Sequence, residues 1–201
     1  MAERAQWRRL AWAAASVPLC LMALGLLMAL APAEMTPRSL QLPGALEVGL
    51  TAPGLAYAFY LGDSLYVFLA LWLFLALAKL GPLSNRLALL GLAAACGKAA
   101  FDLAENTTFA LALWQGEAVD PASVWLLSIL KRACGALAAL AFVPLYPASA
   151  SLSRLVRGLL LATALATCIG FWLPALAQAN ALILFFTAAA LFWSARRHAT
   201  A

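Results

Sequence analysis

The stretch from Lys98 to Thr108, KAAFDLAENTT, sets four strongly polar side chains inside the otherwise apolar run 87–114. At 100° per residue, Lys98, Asp102, Glu105 and Asn106 fall within an arc of about 100°, so one face of a helix carries all four. The opposite face shows Leu89, Cys96, Leu103 and Leu111. A charged group at the centre of a bilayer costs at least ~2.5 kcal/mol even on a lenient insertion scale, so the polar face must turn towards partners or water within a bundle of helices.

That the surroundings are a bilayer follows from composition. Of 201 residues, 66% are hydrophobic and 10% charged, far outside the range of soluble domains and typical of a polytopic membrane protein with one compact domain. The fold class expected is all-α, a transmembrane bundle of about six spans at 10–31, 55–79, 87–114, 121–146, 158–173 and 180–195, with an outer loop over 32–54. The first run, 22 residues behind Arg4, Arg8 and Arg9, is too long for the core of a signal peptide, despite the cleavage-like Ala31-Pro32-Ala33, and is read as a retained span. The loop is rich in proline and glycine, its SLQLP segment alternates as a short extended piece would, and it reads as a lid or a long connection. Asp120 followed by Pro121 marks an N-cap and first helical residue for the fourth span.

The net charge of +5 reflects topology, not a nucleic-acid partner. With the N-terminus in the cytoplasm, Arg4, Arg8, Arg9, Lys79, Arg86, Arg154, Arg157, Arg196 and Arg197 all fall inside, whereas the outer loops hold Arg38 among Glu34, Glu47, Glu117 and Asp120. Both termini are therefore expected in the cytoplasm, in a multi-pass protein of the inner (plasma) membrane whose obvious partners are membrane lipids. Trp12 and Trp193 lie near the inner boundary, and Trp114, Trp125 and Trp172 near the outer one, as interfacial belts require.

Antiparallel spans of known direction place residues by depth. At 1.5 Å per residue, Asp63 lies roughly 12 Å from the outer end of its span, Glu105 roughly 13 Å and Lys131 roughly 12 Å. Asp102 and Arg132 lie one step deeper and Lys98 deepest, so three acids and three bases sum to zero inside the membrane. Equal depth and opposite charge predict that Asp63 pairs with Lys131, with Arg132 bidentate to Glu105 or Asp102 and Lys98 paired to Asp102 along its own helix.

The bland reading of this set is a structural staple that locks three spans in register. Against it stands an excess of polarity: Asn106, Ser64, Ser128 and Thr108 lie nearby, with Phe59, Tyr60, Tyr66 and Phe109 as aromatic walls, the make-up of a small-molecule pocket. Gly62, Gly91, Ala95 and Gly135 would let the helices approach closely. The expected ligand-binding residues are therefore Asp63, Lys98, Asp102, Glu105, Asn106, Lys131, Arg132, Tyr60 and Tyr66, in a pocket open towards the outer half. Its ligand would be a small or amphipathic molecule, bound or transported, with protons as a coupling ion carried best by Glu105. The alternatives are an enzyme acting on a lipid-like substrate through Glu105, Asp102 and Asp63 as acid and base, and a structural or assembly subunit.

Cys20, Cys96, Cys134 and Cys168 lack metal or disulfide spacing, and the sole histidine, His198, lies in the C-terminal tail, so neither a metal nor any cofactor is expected. Phosphate-loop, zinc-protease and dinucleotide fingerprints are absent from the sequence. Asn106-Thr107-Thr108 matches a glycosylation sequon but falls inside a span.

Overall fold

A computed structural model of the protein describes residues 2–33, 35, 40, 45–80, 85–147, 151–169 and 174–200, with backbone only for 174–181. The described chain is helical throughout: α1 (Ala2–Ala29), α2 (Ala45–Thr51), α3 (Pro53–Ala78), α4 (Arg86–Gln115), α5 (Pro121–Phe142), α6 (Ser151–Ile169) and α7 (Pro174–Thr200). Five of these, α1 and α3 to α6, are long and apolar enough to cross a membrane. The sixth long helix, α7, has 27 residues and contains the expected span 180–195.

Local chemistry sets the ends. Asn85 caps α4 by accepting the amide of Leu87 at 2.9 Å. At the far end Gly116 adopts φ 69°, a left-handed conformation that glycine takes without a Cβ clash, and Ala112 then accepts the amides of both Gly116 and Glu117. Asp120 caps α5 through the amides of Ala122 and Ser123, with Pro121 at the first helical position, as the sequence predicts. Part of the expected outer loop is instead the short helix α2, while most of the SLQLP segment lies outside the described residues.

The six long helices form a closed ring in which each packs on its sequence neighbours and α7 returns to α1, while α3 and α5, on either side of α4, barely meet. The small residues Ala13, Ala14, Ala94, Ala95, Ala138 and Ala139 are buried between helices, as expected where close backbone approach replaces a hydrophobic driving force. Gly91 is the tightest seam between α4 and α5: a Cβ there would stand 2.8 Å from the Phe142 ring and 3.1 Å from Ala141. Large apolar side chains point outwards instead, among them Leu19, Leu61, Phe68, Leu111 and Phe186, each more than half exposed. Such a surface suits hydrocarbon and would be a liability in water.

Apolar clusters pack at both ends of the ring. At the end carrying both termini, Trp7, Leu10, Leu77, Phe142, Tyr146, Val156 and Leu191 form one cluster, and His198, expected in a tail, stacks on Trp7 with ring centroids 4.3 Å apart. At the opposite end Phe59, Tyr60, Phe109 and Leu113 pack with Met35, Leu40 and Ala45 from the segment between α1 and α3. Tyr60 and Phe109 stack, and the Tyr60 hydroxyl donates to the Leu40 carbonyl at 2.9 Å, tying that segment to the bundle.

Candidate functional site

The polar face of α4 points into the ring. Asp102, Glu105 and Asn106 are 7%, 1% and 3% exposed, so each requires a partner. Lys98 ion-pairs with Asp102 one turn along α4. From α5, Lys131 ion-pairs with Glu105 and stands 3.3 Å from Asp102, while Ser128 donates to Glu105 at 2.7 Å. The two carboxylates of α4 are thus met by two residues of α5. Gly135 makes room for this, since a Cβ there would meet the Lys98 stem at 3.2 Å. The Lys98 ammonium lies 5.9 Å from the centre of the Tyr66 ring, a cation–π contact to α3.

Two expected pairings are overturned. Asp63 does not meet Lys131; its carboxylate accepts the Asn106 amide at 2.9 Å, and the same amide donates to Ser64 at 3.3 Å. The cation that serves Glu105 and Asp102 is Lys131, where Arg132 was expected. Both corrections have one cause: α4 stands between α3 and α5 in the ring, so its own side chains reach Asp63 on one side and Lys131 on the other.

Within the ring lies a cavity of about 290 Å³, to which all six long helices contribute. At ~30 Å³ per water it is about ten waters in size, too large for a bare ion and close to the lower limit of small-molecule pockets. Its wall is divided. Asp63, Tyr66, Lys98, Asp102, Lys131 and Arg132 face it from α3, α4 and α5, and Leu73, Phe74, Leu77, Leu160 and Leu191 line it towards the end that carries the termini.

A third surface was missed by sequence reasoning. Thr163, Thr167 and Thr187 line the cavity from α6 and α7, with the Thr163 and Thr187 hydroxyls 3.1 Å apart. Each threonine also donates to a carbonyl one turn back in its own helix, which leaves its oxygen as an acceptor. The signal available was the four-residue spacing of Thr163 and Thr167 within an apolar run.

The remaining expected residues stand elsewhere. Glu105 does not line the cavity; it lies behind the wall and holds Lys131. Tyr60 and Asn106 line a separate groove of about 510 Å³ on the seam between α3 and α4, with Tyr57, Leu61, Ser64, Thr107, Ala110, Leu111 and Trp114. At the end opposite the termini, where the opening was expected, Phe59, Tyr60 and Phe109 form part of a buried apolar cluster. Among the described residues, no group of three or more histidine, cysteine, aspartate or glutamate side chains is placed to hold a metal ion. Compared with family models, curated proteins and solved structures, the chain matches none of them.

Proposed function

We propose that this chain is a multi-pass protein of the plasma (inner) membrane that binds, and passes across the bilayer, a small amphipathic molecule held in the central cavity. The observation that carries the reading is the divided wall: charged and hydroxyl groups from five helices face one part of the cavity, and leucine and phenylalanine side chains face the other. A structural staple accounts for the ion pairs but gives no reason for a void of about 290 Å³ beside them, since packed interiors leave few spaces larger than a water. Acid–base catalysis is less well supported, because Asp102 and Glu105 are each held by lysine and Glu105 lies away from the cavity. The excess of arginine and lysine at the end carrying the termini favours placing that end in the cytoplasm.

The test uses the purified full-length chain and the probes decylamine, decylphosphocholine and decanoate. A probe that occupies the cavity stabilises the folded state by about 2.7 kcal/mol at a hundred times its dissociation constant, a saturable rise in Tm. Ala70 faces the cavity from α3, and Ala70→Phe fills it. The reading expects a saturable shift for at least one probe in the wild type and none in Ala70→Phe. Shifts that are absent, or equal in both, would refute it.

A further inference from the structure

The groove on the α3–α4 seam and the central cavity share one wall, and that wall is a single hydrogen bond thick. Asn106 lines the groove, Asp63 lines the cavity, and the Asn106 amide donates to the Asp63 carboxylate at 2.9 Å. Asn106 is 3% exposed, and its Oδ1 is buried with no hydrogen-bond partner among the described residues. An orphaned acceptor of this kind is costly unless something donates to it. The groove around it faces outwards: Trp114 is 80% exposed, Leu61 74% and Leu111 52%. Trp114 lies eight residues from Asn106, about 12 Å along α4, so the polar floor sits well below the level where a lipid headgroup rests.

We propose that the α3–α4 seam is a side door, through which a membrane amphiphile with a hydrogen-donating head, an amine or a hydroxyl, slides from the bilayer into the cavity while its tail lies against Leu61, Leu111 and Trp114. The chemistry of the head follows from what it meets. Asn106 Oδ1 and the Asp63 carboxylate are both acceptors, so a head that donates can be handed from the first to the second as the amide of Asn106 swings away. A head that only accepts leaves both Asn106 Oδ1 and the Asp63 carboxylate unmet. Ser64 supports the resting state, since its hydroxyl donates to the Tyr60 carbonyl at 2.8 Å and its oxygen receives the Asn106 amide at 3.3 Å. The door rests on the cavity reading, because without a site inside it leads nowhere. Phe59, Tyr60 and Phe109 pack together at that end of the bundle, and the seam is a short path to Asp63, one hydrogen bond from the groove.

A door governs rates and leaves equilibrium alone, which separates it from the site it serves. The experiment follows binding of decylamine, decanol and decyltrimethylammonium to the full-length protein in lipid nanodiscs by stopped-flow tryptophan fluorescence. Decylamine and decanol are expected to associate at least tenfold faster than decyltrimethylammonium, which has the tail and the charge but no donor. Ala110→Phe, which fills the groove, is expected to slow association and dissociation of decylamine at least fivefold with its dissociation constant changed less than twofold. Thr107→Phe, at an exposed position of the same groove, repeats the test if Ala110→Phe is not recovered folded. Ala70→Phe is expected to abolish saturable binding. Unchanged rates in the groove variants, with binding still abolished by Ala70→Phe, would overturn the door and leave the cavity standing. Binding that survives Ala70→Phe but is lost in Ala110→Phe would make the groove a terminal lipid site and overturn both. Equal association rates for decyltrimethylammonium would overturn the requirement for a donor.

Discussion

Replacing Lys131 by methionine removes the one cation that α5 lends to two buried carboxylates, and its cost follows from the distances. At 3.3 Å from Asp102, with an effective dielectric of ~20, the attraction is about 5 kcal/mol before desolvation is subtracted, and the contact to Glu105 adds to it. Breaking a buried pair by removing one partner typically costs ~3–5 kcal/mol, because the abandoned charge stays buried. Lys131→Met should therefore lower stability by about that much, measured as reversible unfolding in mixed micelles of rising detergent denaturant. Adding Glu105→Gln neutralises the more buried carboxylate and keeps an acceptor for Ser128, so the double variant should recover ~1–3 kcal/mol of the loss. Adding Asp63→Asn should recover little, within ~0.5 kcal/mol of additivity, because the partner of Asp63 is Asn106. Strict additivity in the Glu105 cycle, together with strong coupling in the Asp63 cycle, would refute the arrangement described here.

Gly91→Ala should destabilise by ~1–3 kcal/mol, since the added methyl would stand 2.8 Å from the Phe142 ring, whereas Gly25→Ala, with nothing within 4 Å, should be neutral or slightly stabilising by thermal unfolding. Asp120 titrates visibly: the Ser123 hydroxyl and the amides of Ser123 and Ala122 hold its carboxyl below the usual aspartate range. Its capping contribution is therefore fully present above the unfolded pKa of about 4 and lost as pH falls through the lower folded value, seen as a fall in the exchange protection factors of the Ala122 and Ser123 amides on acidification. Asp120→Asn should flatten that dependence. Cysteines introduced at Ala118 and Ser151, beyond opposite ends of α5, should react with impermeant reagents from opposite sides of the membrane; labelling from one side would break the bundle topology.

Much of the fold was legible because hydropathy and charge respond to the membrane directly. Arg4 to Arg9 and Arg196 to Arg197 marked one end of the bundle, yet the helices α1 and α7 run on through these residues, since polar residues end an apolar run without ending a helix. The packing of Met35, Leu40 and Ala45 onto the ring was not legible, because the sequence around them carries no period from which to read a contact. In the site, depth counted along the helices brought Asp63, Glu105 and Lys131 to one level, but it paired Lys131 with Asp63, whereas Lys131 pairs with Glu105. Depth gives no azimuth, however. Which of two equally deep carboxylates faces Lys131 depends on the order of helices around the ring, and the sequence carries no direct mark of that order. Glu105 was singled out as the titrating group, whereas the acid that faces the cavity without a lysine partner of its own is Asp63.

The return of α7 to α1 sets the timetable of biogenesis. Helix α1 leaves the ribosome before the other long helices of the ring and α7 after them, yet the two are neighbours in the finished molecule. Until the C-terminal segment is released, the faces of α1 and α6 that will receive it, among them Leu10, Ala14 and Val17 on one side and Leu160 and Thr163 on the other, lie open to lipid or to an insertion factor. A chain that stalls before α7 is a crescent with its polar interior facing the bilayer, and so a natural substrate for membrane quality control.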